Sequence, residues 1–218
     1  MSQRLLVSVV VLAVLGLWPL QTGADTTQGK RGLLAPGSPA PAFALPDVVS
    51  GATVSLEDFA DRDALLVMFL CRHCPYVQHV KDGVAQLARD YSGARVGIVA
   101  VSANDAGAYP QDGPESLKAM AHEAGFTFPY LYDATQAVAK AYTAVCTPDF
   151  FLFDRARRLV YRGQFDDSRP GNGTPVTGQD VRAAIDALLA GTPVPSAQQP
   201  SFGCSIKWKS GNEPAYSR

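Results

Sequence analysis

A six-residue apolar run, Leu65-Leu66-Val67-Met68-Phe69-Leu70, has no polar interruption and feeds directly into Cys71. Its length suits a strand buried on both faces better than a helix. From Pro75 to Tyr91 the apolar positions Val77, Val80, Val84, Leu87 and Ala88 fall on one stripe of a helix, with Pro75 in its first turn, where no intrahelical N–H bond is lost. The pattern then predicts a second strand over Arg95 to Ser102, a polar loop over Asn104 to Pro114 and a helix over Glu115 to Ala124. An aromatic strand-like piece over Phe128 to Tyr132 and a short helix over Thr135 to Tyr142 follow. The apolar stretch after Pro148 and the piece Arg158 to Arg162 read as a hairpin through Arg155-Ala156-Arg157. After a loop over Gln164 to Gly178, Asp180 to Leu189 has the spacing of a last helix, ended by Gly191. Upstream, Phe43 to Leu45 and Ala52 to Val54 flank a Ser50-Gly51 turn as a short hairpin, and Ser55 with Asp58 forms a capped turn before the central strand. Strands alternating with helices and closing on a hairpin predict an α/β chain with a central mixed sheet flanked by helices on both sides.

The two ends read differently. Arg4 followed by an apolar stretch from Leu5 to Leu17 and by Thr22-Gly23-Ala24 has the form of a signal peptide over residues 1–24, so the protein is expected to be exported, to the periplasm if bacterial. The stretch is shorter than the ~20 residues a spanning helix needs, so no stable membrane span is expected after cleavage. Residues 25–41 are polar, then rich in proline and glycine, and read as a tail and linker; residues 42–191 carry the domain. Residues 192–218 are too rich in proline and polar groups to be a domain, but Phe202, Cys204, Ile206 and Trp208 give this tail a reason to pack on the surface.

The chain has 218 residues, 47% of them hydrophobic and 18% charged, enough for one core. A formal net charge of -1, with no dense cationic block, excludes a nucleic-acid partner on electrostatic grounds.

The chemistry centres on Cys71-Arg72-His73-Cys74, a C-x-x-C pair between a buried strand and an amphipathic helix. Such a pair suits thiol redox chemistry, since a structural zinc knuckle needs a second close pair and the remaining cysteines, Cys146 and Cys204, are isolated. Cys71, next to a helix N-terminus, is expected to be the attacking thiolate and Cys74 the resolving thiol, with Arg72 and His73 lowering the thiol pKa by their charge. That charge makes the reduced form relatively more stable and so leans toward an oxidising couple. Cys146 and Cys204 are read as a second disulfide, the favoured reading, or as relay thiols; neither a metal nor a cofactor is called for.

Taken together, CRHCPYV, CTPDFFLFD and GCSIKWKSGNEP resemble thioredoxin-fold, peroxiredoxin-like proteins of the redoxin (AhpC/TSA-related) group, over most of the chain from about Leu34. The resemblance implies a thioredoxin-like three-layer fold with the N-terminal hairpin and C-terminal tail as extensions. It also implies that Thr147-Pro148, with a cis peptide, presents backbone to a substrate chain. Both parent patterns are incomplete here. Peroxiredoxins carry a proline seven and a threonine three residues before the peroxidatic cysteine; those positions are Ala64 and Met68 counted from Cys71, and Val67 and Cys71 counted from Cys74. The buried acid and the tryptophan that thioredoxins place before their outer cysteine are Leu65 and Leu70.

The reading that follows is an exported thiol–disulfide oxidoreductase that uses Cys71 and Cys74 on disulfide-containing protein substrates and is regenerated by a redox partner. The alternatives are a peroxiredoxin-like thiol peroxidase and a non-enzymatic copper-binding assembly factor using the pair with His73, His79 or His122.

Overall fold

The computed structural model describes residues 32–217; the expected signal peptide, and the first part of the linker after it, lie outside them. The central sheet has five strands: β3 (Ala64–Phe69), β4 (Val96–Ser102), β5 (Tyr130–Tyr132), β7 (Asp149–Phe153) and β8 (Leu159–Gly163), in the order β5-β4-β3-β7-β8. The pairs β3/β4 and β4/β5 are parallel, whereas β3/β7 and β7/β8 are antiparallel, so the sheet is mixed. A separate antiparallel pair, β1 (Ala44–Pro46) and β2 (Thr53–Ser55), precedes it, and β6 (Cys146–Thr147) pairs only with β9 (Cys204–Ser205).

All six residues of β3 are buried, because the strand is central and both faces of the sheet are covered. Its pleat sends alternate residues to two cores. Leu66 and Met68 face α1 (Pro75–Asp90), α2 (Pro114–Ala124) and α4 (Gln179–Leu189), through Val80, Val84, Leu87, Met120, Val181 and Ile185. On the other face Leu65, Val67 and Phe69 meet Phe59, Phe151, Phe153 and Tyr142, with Ala139 of α3 (Ala137–Ala141). This is the three-layer arrangement expected from the pattern. Truncating one of these fully buried leucines to alanine costs about 2–5 kcal/mol in comparable cores.

Local chemistry explains most element ends. In the turn after β2 the Asp58 carboxylate accepts the Ser55 N–H at 2.8 Å, as that spacing predicts. Gly125, in the left-handed conformation at φ 66°, ends α2. The short helix starts at Ala137 instead of Thr135, because Gln136 sits at φ 63°, outside helical space, and turns its amide toward the Ala103 and Lys207 carbonyl oxygens.

Residues beyond α4 run back over the molecule and are bound to it on both sides of Cys204. Ser201 donates to the buried Asp149 carboxylate at 2.6 Å and to the Gly163 carbonyl at 2.7 Å. The Ile206 N–H reaches the Val145 carbonyl at 3.3 Å; the Lys207 N–H reaches Asn104 Oδ1 at 2.8 Å. Ile206 is buried and Trp208 packs against the second core.

Candidate active site

Cys71 follows the C-terminal end of β3, where open α/β sheets place their reactive groups, and Cys74 is the N-cap of α1. Neither has any exposed surface. Cys71 Sγ lies 3.1 Å from Thr147 Oγ1 and in hydrogen-bonding contact with Cys74. Cys74 Sγ lies 3.2 Å from the Thr147 carbonyl oxygen. The Thr147–Pro148 peptide is cis, so the loop before β7 sits against both sulfurs.

The two thiols of the pair are coupled, each moving the other's proton affinity. The Cys71 thiol hydrogen bond pulls Cys74 down to about 4; burial opposes this, and the Cys204 thiol, the Val77 N–H and the Cys204 N–H assist it. The same hydrogen bond, then burial, pushes Cys71 up. Against these donors stands one acceptor, the Thr147 carbonyl, which would favour a neutral thiol at Cys74. Thr147 Oγ1 beside Cys71 favours a thiolate there in turn, and Cys74 makes no side-chain cap bond to α1, so one proton is shared within the pair. The N-cap position itself belongs to the second cysteine of the pair, one turn beyond where the sequence reading put it.

Arg72 and His73, expected to tune the pair by charge, are held by acids instead. The Arg72 guanidinium donates to the Ser116 carbonyl at 2.6 Å and to Glu123 at 3.0 Å. His73 Nδ1 pairs with Asp112, and its ring stacks on Tyr109 at 5.0 Å between centroids. Tyr109 belongs to the polar loop over Asn104 to Pro114.

Asp112, in that same loop, is the group the sequence reading missed. It is fully buried and accepts the N–H groups of Arg72 at 2.7 Å and His73 at 3.0 Å on Oδ1, with the His73 ring and the Asn104 amide (2.8 Å) on Oδ2. The carboxylate therefore fixes the C-x-x-C backbone from below, and Asn104 ties it to the tail through Lys207. An acidic residue in a polar loop carries no sequence signal of burial. Among the described residues, Ser102 Oγ and Tyr130 Oη are buried without a hydrogen-bond partner.

The ligand atoms of Cys71, His73 and Asp112 lie within 4.8 Å of one another, the one such group of three among the described residues. All four lone-pair directions of the carboxylate are already used, so Asp112 acts as a brace and offers a cation nothing as arranged. His79 is engaged with Ser168 at 2.7 Å, apart from the sulfurs.

Cys146 and Cys204 do not face each other. The register pairs Cys146 with Ser205 and Cys204 with Thr147, so the two side chains leave opposite faces of the ladder, and all four cysteines are free thiols. This corrects the favoured Cys146–Cys204 bridge. Cys146 is buried, its thiol pushed up by burial, with Sγ 3.5 Å from the Pro148 carbonyl. Cys204 lies against Cys74.

A low proton affinity at Cys74 has a consequence for stability. Between about 4 and the ordinary thiol value of 9.0 the unfolded reduced chain holds a proton that the folded chain does not. Stability from this group is therefore present above 9 and lost as pH falls through about 4. The reduced protein is expected to keep a thiolate ultraviolet absorbance well below the ordinary thiol value of 9.0, weaker in Cys74→Ser.

Residues 36–162 match the family model described as the AhpC/TSA family. A candidate peroxiredoxin of Mycobacterium tuberculosis is 32% identical over 111 residues, 51% of this chain; the chain spans just under two thirds, 65%, of that relative's length. An uncharacterized conserved protein of Geobacillus kaustophilus, known from its crystal structure, is 56% identical over 81% of this chain and 94% of its own, with a TM-score of 0.79. The solution structure of a candidate thioredoxin from Neisseria meningitidis is 26% identical and superposes with a TM-score of 0.54, covering 69% of this chain and 89% of its own. The mixed sheet flanked by helices agrees with these matches: the chain belongs to the AhpC/TSA family and has a thioredoxin-like fold.

Proposed function

We propose that the protein is an exported thiol–disulfide oxidoreductase whose Cys71–Cys74 pair cycles between dithiol and disulfide. The observation that carries this is the placement of both sulfurs at the entrance to α1 against the Thr147–Pro148 loop; this reading assigns the thiolate to Cys74, whose proton affinity is lowered by its neighbour. The Cys74 thiolate attacks one sulfur of a substrate disulfide, forming a mixed disulfide and expelling the other sulfur as a thiolate. Cys71 then loses its proton and attacks Cys74 Sγ, releasing the reduced substrate and leaving a Cys71–Cys74 disulfide. A redox partner restores the dithiol, or the oxidised pair passes its disulfide on. This reading gives Cys74 the attacking role that the spacing suggested for Cys71. Export rests on residues 1–24 of the sequence; no helix among the described residues is long and apolar enough to cross a membrane.

A thiol peroxidase would use the same Cys74 thiolate: it takes the terminal oxygen of a hydroperoxide, releasing the alcohol or water, and Cys71 condenses with the sulfenic acid to give the disulfide and water. The similarity to a candidate peroxiredoxin favours it. Against it, Val67 and Cys71 occupy the positions of the peroxide-holding proline and threonine.

Mixing reduced protein with glutathione disulfide or with hydrogen peroxide, and trapping thiols at short times, separates the two. The exchange reading expects Cys71–Cys74 disulfide from glutathione disulfide at the higher second-order rate. Rapid oxidation by peroxide alone would replace it with the peroxidase reading.

A further inference from the structure

The strand β6 stands outside the central sheet, and its free edge is taken up by β9, from the chain's own tail. Thr147, whose hydroxyl and carbonyl touch the two catalytic sulfurs, is the residue directly opposite Cys204. The approach is close enough that a Cβ on Gly203 would stand 2.0 Å from the Thr147 carbonyl oxygen, so only glycine fits there. The tail is fixed on both sides by Ser201 on Asp149 and Lys207 on Asn104. Cys204 consequently packs against the core cluster that holds Cys71 and Cys74, on the Thr147 face of the ladder.

Access follows the same geometry. Cys71 and Cys74 have no exposed surface, whereas Cys204 is only half-buried. An extended chain laid along a free strand edge is a general mode of peptide recognition, and here that edge is filled in cis with a cysteine against the nucleophile.

We propose that β9 is an intramolecular substrate and that Cys204 is the third redox thiol of the site, through which electrons from outside thiols reach the buried pair. The proposal rests on the exchange reading above. In the oxidised protein the Cys204 thiolate attacks Cys74 Sγ; the Cys74–Cys204 bond forms, the Cys71–Cys74 bond breaks, and its electron pair leaves on Cys71, which takes up the proton that Cys204 lost. The number of disulfides is unchanged. An external thiol, as thiolate, then attacks Cys204 Sγ, forms a mixed disulfide there and frees Cys74 as thiolate. A second external thiol clears Cys204, and the net result is reduction of the pair by two thiols.

The test uses the whole chain, with glutathione disulfide as oxidant and glutathione as reductant, followed by acid quenching, alkylation and mass mapping of peptides. In Cys71→Ser, where Cys74 can bond only to Cys204 or to glutathione, a Cys74–Cys204 disulfide is expected as the main oxidised species. In Cys204→Ser the Cys71–Cys74 disulfide is expected still to form, while its reduction by glutathione slows by about tenfold or more, since the accessible exchange point is gone. Cys146→Ser is expected to match wild type in both assays. A Cys71→Ser protein carrying only glutathionylated Cys74, beside a wild type that forms Cys71–Cys74, overturns the relay alone; so does Cys204→Ser reduced at the wild-type rate. Failure of wild type to form any Cys71–Cys74 disulfide overturns the exchange reading beneath it.

Discussion

Cys74→Ser is expected to lower the rate of disulfide exchange by about 10³-fold or more, because it removes the activated nucleophile itself. The hydroxyl is close in size to the thiol and stands at the N-cap of α1, where serine is favoured, so folding is expected to survive and the loss to be chemical. Cys71→Ser separates the roles. Its Cys74 loses the hydrogen bond that does most to hold the thiolate, so its proton affinity rises, but a nucleophile remains. That variant is expected to attack a substrate disulfide and then stop at a mixed disulfide on Cys74, or at the internal bond to Cys204, because the resolving sulfur is gone. Stopped-flow thiol consumption with mass analysis of the product checks both. Equal and complete loss in the two variants, with no trapped species in Cys71→Ser, would contradict the assignment.

The second large effect belongs to Asp112, which touches neither sulfur. Asp112→Ala leaves the Arg72 and His73 N–H groups and the Asn104 amide without their acceptor in a buried place. Each unsatisfied buried donor costs about 1–3 kcal/mol, so the variant is expected to lose several kcal/mol of stability before any relaxation or entry of water. Asp112→Asn is the milder probe. Its carbonyl oxygen can still accept from the two backbone N–H groups, but its amide would turn a donor toward the donors of Asn104 and the His73 ring. It is expected to unfold at lower denaturant concentration than wild type and to raise the Cys74 proton affinity, because the loop that seats the pair loosens. Urea unfolding of both variants, alongside the pH dependence of their alkylation, checks this. Wild-type stability in Asp112→Ala would contradict the bracing role.

These two residues mark the boundary of what the sequence makes legible. The central strand, the helices around it and the position of the C-x-x-C pair follow from local pattern, since six apolar residues in a row and a 3.6-residue stripe each have few ways to be buried. The pairing of sulfurs with acids and donors does not follow, because it depends on contacts between segments far apart in the chain. Arg72 and His73 adjoin the cysteines in sequence, yet their side chains turn to Glu123 and Asp112. Cys204 is 130 residues from Cys74 and still meets it, by way of a two-residue ladder that no periodicity announces. The same ladder defeats the reading of Cys146 with Cys204: isolated cysteines in an exported chain suggest a bridge, but one position of register decides which face each thiol leaves.

Charge, in turn, links the arrangement to function. A thiolate at Cys74 stabilises the reduced pair relative to the disulfide, so the couple is expected to be more oxidising than one whose thiols have ordinary values. Burial acts in the other direction on both sulfurs, and with the contact to Cys74 it keeps Cys71 protonated until the mixed disulfide forms.

The central claim, that Cys71 and Cys74 form a redox couple poised by the Cys74 thiolate, is tested most directly by its reduction potential. Equilibrating the chain without residues 1–24 against glutathione buffers, quenching with acid and counting alkylated thiols by mass gives the value for the named pair. A Cys71–Cys74 disulfide with a potential clearly above the thioredoxin value of about −270 mV is predicted. A pair that stays reduced across all buffers, or a potential at or below about −270 mV, would contradict the account.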